Sequence, residues 1–223
     1  MVRRWPAFRH FKAKEGQVAP DTYHNYAELA AHEQEGVDYV VRVLKGDPLV
    51  AIVTPHGGEI EAGTSEIATA VASEDWSLYC FEGIKATGNQ TLHITSTHFD
   101  EPRCLALLAP AERVLTIHGL SGNGKMIWIG GKDENLIVRL DGSLKAAGFT
   151  TIFDNSPKHG GDKPNNICNR GSSGEGCQLE LSRGLRRTLF ASLSKAGRRH
   201  PTPRLSELSE AIRSGLAGCR LTG

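Results

Sequence analysis

The sequence predicts an α/β domain of three layers, with helices on both faces of an open mixed sheet. Two observations carry this. Short runs rich in Val, Ile and Leu alternate with amphipathic stretches at helical spacing, the pattern of strands and crossover helices. Clusters of Gly, Pro, Asn and Asp punctuate the runs. No internal repeat is present, and 223 residues suit one domain, or at most two small ones.

The elements follow in order. Residues 24–35 have the apolar spacing of a short helix. Strands are expected at 39–44 and 49–53, with Lys45-Gly46-Asp47-Pro48 as the turn between them. After the segment TPHGGEIEAG a helix is expected at 64–71, capped by Thr64 or Ser65. A strand at 77–81 and an alternating strand at 91–95 come next. Pro102 fits the first turn of a helix at 101–108, and Asp100 is placed to cap it. A compact strand at 113–117 leads into the glycine-rich GLSGNGK, and 126–129 reads as extended. A long amphipathic helix at 135–147 ends at Gly148, and 149–153 returns as a strand. The stretch 154–176, rich in Gly, Asn, Ser and Pro, is a long functional loop. A last strand at 177–181 precedes helices at 183–192 and 205–216, joined by a basic linker with Arg198, Arg199 and Pro201.

Composition narrows the function. Lys and Arg total 26 against 25 Asp and Glu, a net charge of +1, so a nucleic-acid partner is not expected. No apolar run reaches the roughly 18 residues that span a bilayer, so no membrane partner is expected either. The basic start MVRRWPAFRHFKAKEGQ lacks an apolar stretch, and it reads as a solvated extension, not a secretory signal. With five cysteines, an odd number, the chain fits a reducing, cytoplasmic setting. A Cys168–Cys177 disulfide stays open for an exported protein. The 25 glycines imply tight turns or close approach of backbone to a ligand.

Three constellations could carry chemistry. Residues 119–125 read G-x-x-x-x-G-K, the skeleton of a phosphate loop. Met126 stands where a hydroxyl is needed, and an extended run follows where a helix is needed. His56 follows the strand LVAIV and His118 follows VLTI, so both sit at carboxyl ends of strands, where α/β sheets form ligand sites. Glycines beside His56 let the chain turn and bring back a carboxylate, and spacing leaves both Glu59 and Glu61 open. Two His and one Glu hold zinc with a position left for water. In THFDEP, His98 either faces the same cleft or bonds Asp100. His93 reads as structural.

Taken together, TPHGGEIEAGTSEIA, SLYCFEG, LHITSTHFDEP, VLTIHGLSG, NNICNRG and GCQLELSRGLRR resemble the poly-γ-glutamate hydrolase family, which includes phage-encoded enzymes. The resemblance covers roughly Tyr23 to Leu189. It implies a zinc carboxypeptidase-like (phosphorylase/hydrolase-like) core with zinc (Zn²⁺) at the strand ends. It implies His56, Glu61 and His118 as metal ligands, Glu61 being chosen over Glu59. Glu180, between apolar Leu179 and Leu181, resembles the acid that activates water and protonates the leaving amine. Arg170 is the first candidate for a substrate carboxylate, because guanidinium binds it in a bidentate way. Lys125 and Arg183 come after it. Arg186 and Arg187 read as solvated.

The domain organisation expected is an extension over 1–20, a zinc hydrolase domain over 21–193, and a C-terminal linker and packing helix over 194–223. The function expected is zinc-dependent cleavage of the γ-amide linkage of an anionic poly- or oligo-γ-glutamate substrate. The alternatives are a zinc amidohydrolase for another N-acyl amino acid or cell-wall peptide, and a non-catalytic phosphate or nucleotide binder using 119–125. The glycines Gly57, Gly58, Gly63, Gly119, Gly171, Gly174 and Gly176 cluster near the expected site residues.

Overall fold

A computed structural model describes residues 20–153 and 160–217. Seven strands form one mixed sheet: β1 (Tyr39–Leu44), β2 (Asp47–Gly58), β3 (Trp76–Gly83), β4 (Arg113–Leu120), β5 (Met126–Gly131), β6 (Thr150–Phe153) and β7 (Cys177–Ser182). Their spatial order is β1-β3-β2-β4-β7-β5-β6. The run β3-β2-β4-β7 is parallel, while β1 against β3 and β5 against β7 are antiparallel. The parallel centre is apolar on both sides, as a strand covered by helices must be.

Two apolar cores lie on the two faces. One is built on Ile52, Leu115, Ile117, Leu179 and Leu181. It is covered by α2 (Thr64–Ala72), α4 (Glu134–Ala146) and α6 (Pro203–Ala217), through Ile67, Leu140 and Ile212 among others. The other, on Val53, Tyr79, Phe81 and Val114, is covered by α1 (Tyr26–His32) and α3 (Pro102–Leu108), through Leu29 and Leu108. The carboxyl ends of β2, β4 and β7 therefore lie side by side at one edge of the sheet.

Several elements differ from the sequence reading, among them β2, which takes in Asp47 and Pro48 of the expected turn and runs on through His56. The alternating 91–95 segment is not a strand: a 3-10 turn over Asn89–Leu92 gives way to irregular chain. Its alternation reflects one-sided burial, with Leu92 and Ile94 fully buried. Its backbone groups bond side chains instead of a neighbouring strand, since the Thr95 N–H donates to Asp21 and the Ile94 carbonyl is bonded to His56. The helix expected at 183–192 is only α5 (Arg183–Arg186). Beyond it the chain pairs back on itself, Phe190 bridging Pro201 and the Ala191 N–H donating to His200 O, which ends the helix. Helix caps also shift. Glu101, not Asp100, caps α3 by accepting from the Cys104 N–H, and Asp100 accepts from the Tyr26 N–H. Gly63, with φ of +101°, stands at the start of α2 in place of a Thr64 or Ser65 cap.

The G-x-x-x-x-G-K segment opens no helix. Strand β5 follows directly, so no helix N-terminus is offered to a phosphate. Cys80, Cys104, Cys168 and Cys177 are all free and buried, with no Cys168–Cys177 bond. Among the described residues, no helix is long and apolar enough to cross a membrane.

Candidate metal centre

The site begins with a turn. After His56, near the end of β2, the chain loops so tightly that the Glu61 N–H donates to the His56 carbonyl at 3.0 Å. Two glycines make this possible. A Cβ on Gly57 would lie 2.2 Å from Ser65 Oγ, and one on Gly58 would lie 2.3 Å from the Gly83 carbonyl, with φ of +64° besides. The turn carries the Glu61 carboxylate back over His56, while neighbouring β4 brings His118 alongside.

The donors converge. His56 Nδ1 and His118 Nδ1 face each other at 3.2 Å, and Glu61 Oε1 lies 3.3 Å from His56 Nδ1. Glu61 Oε2 is 3.9 Å from His118 Nδ1. One ligand atom from each of the three lies within 4.8 Å of the others. Two ring nitrogens this close cannot both carry a proton toward each other. With His56 Nε2 on the Ile94 carbonyl, Nδ1 is left with a lone pair that can accept from His118 or, once both imidazoles present lone pairs, hold a cation between them. Tetrahedral zinc with bonds of about 2.0–2.2 Å spaces its donors about 3.3–3.6 Å apart, close to the spacing of two of the three edges. The donor set, two imidazoles and one carboxylate, fits a catalytic zinc site with an open position.

The remaining ring nitrogens are also held. His56 Nε2 bonds the Ile94 carbonyl at 2.8 Å, which fixes Nδ1 as the inward nitrogen. Ser96 Oγ lies 3.4 Å from His118 Nε2. The His93 ring stacks on His56 at 4.0 Å between centroids, and its Nδ1 is bound at 2.7 Å by Asp21. The same Asp21 accepts from the Thr95 N–H at 2.6 Å. One short segment, 93–96, thus cradles both imidazoles. Its sequence alternation concealed that role.

Electrostatics follow from these contacts. Burial opposes the Glu61 charge, but His56, His118 and the Gly119 N–H outweigh it and hold the carboxyl below the ordinary carboxylate range. Burial pushes the His56 pKa down, yet the Glu61 charge and the Ile94 carbonyl leave it raised.

Glu180 stands beside the donors. On β7 it pairs in register with His118 on β4, and directly opposed residues of neighbouring strands share a face. Leu179 and Leu181 point to the opposite core. Glu180 is buried, with Gln178 Nε2 at 3.5 Å from Oε1, and Gln178 is bonded in turn by Asn166 Nδ2 at 3.2 Å.

The family described as poly-gamma-glutamate hydrolase matches residues 23–211. The chain belongs to the poly-γ-glutamate hydrolase family. Over 181 residues it is 41% identical to the UPF0714 protein YndL of Bacillus subtilis strain 168, covering 81% of this chain and 71% of YndL. A structure of a bacteriophage poly-gamma-glutamate hydrolase superposes with a TM-score of 0.86 at 34% identity, covering 89% of this chain and 98% of that one. A zinc-free apo structure of YndL gives 0.83 at 39% identity, covering 88% and 98%.

Within this hydrolase fold the other expected residues separate. Glu59 is not with the donors; its Oε1 is held at 2.6 Å by Arg198 from the C-terminal segment. Arg170 is exposed, and the next residue, Gly171, packs on Ala111 and Val114 at the start of β4, away from the strand ends that hold the donors. The structure does not bring Arg170 into the donor group. Lys125 is exposed in the turn after β4, which lies against α5 through a Gly184 N–H to Gly122 O bond of 2.9 Å. Arg183 is exposed at the start of α5, directly after β7. His98 is exposed, its N–H donating to the Thr95 carbonyl.

Arg186 was read as solvated, and the structure corrects this. It is 5% exposed, and its guanidinium bonds three backbone carbonyls. A basic run after a strand looks like a solvated helix face. The only signal against that was His118-Gly119, whose glycine leaves room for the guanidinium.

Proposed function

We propose that this chain hydrolyses the γ-amide bonds of poly- or oligo-γ-glutamate at a zinc centre held by His56, Glu61 and His118. The observation that carries the reading is the convergence of three buried or partly buried donors beside Glu180, in a member of this hydrolase family. A zinc ion at this site supplies Lewis acidity toward the amide carbonyl and lowers the pKa of bound water to about 7. Glu180, on the same face as His118, takes a proton from the attacking water and delivers it to the departing nitrogen. His56 Nδ1 is presented by the Ile94 carbonyl, and the Glu61 carboxylate accepts the Gly119 N–H. Each residue of the substrate carries a free carboxylate. Lys125 and Arg183, exposed where β4 and β7 end, are the cations we assign to that charge.

The test pairs Glu180→Gln with Glu61→Gln. Glu180→Gln is expected to keep zinc and lose polymer cleavage by about 10²–10⁴-fold. Glu61→Gln is expected to lose zinc itself. Full cleavage by Glu180→Gln removes the proton-transfer role.

A further inference from the structure

We infer that Arg186 is a positioning residue that fixes the spacing of the metal donors and of Glu180 by tying together the three chain segments that carry them. This rests on the metal centre proposed above. The Arg186 guanidinium donates from Nη1 to the Ala62 carbonyl at 2.5 Å, from Nη2 to Leu120 O at 3.1 Å, and from Nε to Leu181 O at 3.1 Å. Ala62 follows Glu61, Leu120 lies two residues after His118, and Leu181 follows Glu180. One rigid, planar group therefore grips the chain one or two residues beyond each of the two ligands and the base.

The slot it occupies is cut for it. A Cβ on Gly119 would lie 2.6 Å from Arg186 Cζ and 2.9 Å from each terminal nitrogen. Gly119 also donates its N–H to Glu61 Oε2 at 2.7 Å, so displacing it disturbs a ligand directly. Lysine cannot take over. Its ammonium donates from a single point, whereas the three carbonyls surround a planar fork. Burial of an arginine at 5% exposure is itself unusual, and it is tolerated because the carbonyls compensate the lost water.

Metal-stripped wild type, Arg186→Lys, Arg186→Met and Gly119→Ala would be compared by zinc competition with a chromophoric chelator. The visible spectrum after Co²⁺ substitution and the melting of the metal-free proteins would be recorded alongside. Both Arg186 variants are expected to weaken zinc binding about 10- to 100-fold and to shift the Co²⁺ bands, while the metal-free proteins still melt cooperatively. Gly119→Ala is expected to act in the same direction and to add little in the Arg186→Met background, because the two share one slot. Wild-type zinc affinity and an unchanged Co²⁺ spectrum in Arg186→Lys overturn the inference. If Arg186→Met does not fold, Arg186→Lys and Gly119→Ala decide on the same two readings. A wild type that takes up no zinc overturns the metal centre and this inference with it. A zinc-loaded wild type with unaffected variants overturns only the role of Arg186.

Discussion

At the scale of single residues, the two acids of the HGGEIE turn separate cleanly. Glu59 Oε1 is bonded to Arg198, and Glu61 reaches both imidazoles. Glu59→Gln is therefore expected to leave zinc affinity within about threefold, since it removes no donor and Arg198 stays held by Glu66 and the Leu193 carbonyl. Glu61→Gln loses an anionic ligand and is expected to weaken zinc beyond the 100-fold attributed to outer partners. Equal zinc affinity in the two variants contradicts the assignment; competition with a chelator measures both. The histidines were legible because each comes after an apolar run, near the carboxyl end of its strand. The choice between the acids was not legible in the spacing, since either could reach back across the glycines. In the structure Glu59 is turned to Arg198, more than 130 residues away in the chain, which no local pattern announces.

At the scale of elements, the 93–96 segment shows why alternation misleads. Leu92 and Ile94 are buried and His93 is half-buried, which mimics a strand, yet the segment's polar groups serve Asp21, His56 and His118. Asp21 is the pin. Burial raises its pKa, but bonds from Thr95 and His93 outweigh that and hold it below the ordinary 3.8. A carboxyl lowered in the folded state adds stability above its ordinary pKa, and that stability is lost as pH falls through the folded value. Asp21→Asn is thus expected to be less stable than wild type at pH 6, with the difference narrowing below about pH 4. Denaturant unfolding across pH checks this, and a constant difference down to acid contradicts it. Each strand of the parallel centre was located by its apolar run, but β2, β3 and β4 extend past that run through polar and glycine residues, β2 from Asp47 to Gly58. Helix α5 was overread by six residues, because the Phe190–Pro201 pairing that stops it is a tertiary contact.

At the scale of the whole molecule, the sheet divides labour between its two faces. The α2–α4–α6 face supplies an apolar core, and the α1–α3 face supplies both core and the polar surroundings of His56 and His118. Ile212 of α6 is fully buried in the first core, where α6 packs on α4 and α2. Ile212→Ala is expected to destabilise the fold by about 2–5 kcal/mol while leaving zinc affinity unchanged. Chemical denaturation and chelator competition on one sample distinguish these effects, and a parallel loss of zinc affinity would show the two faces to be coupled.

The central claim is that γ-glutamyl cleavage depends on zinc held by His56, Glu61 and His118. The most direct measurement titrates zinc into the metal-stripped protein and follows depolymerisation of poly-γ-glutamate against bound metal, with His118→Ala in parallel. The expected result is no cleavage without metal, a rate that rises linearly to one zinc per chain, and no recovery in His118→Ala. Undiminished cleavage by the stripped protein in the presence of chelator would contradict it.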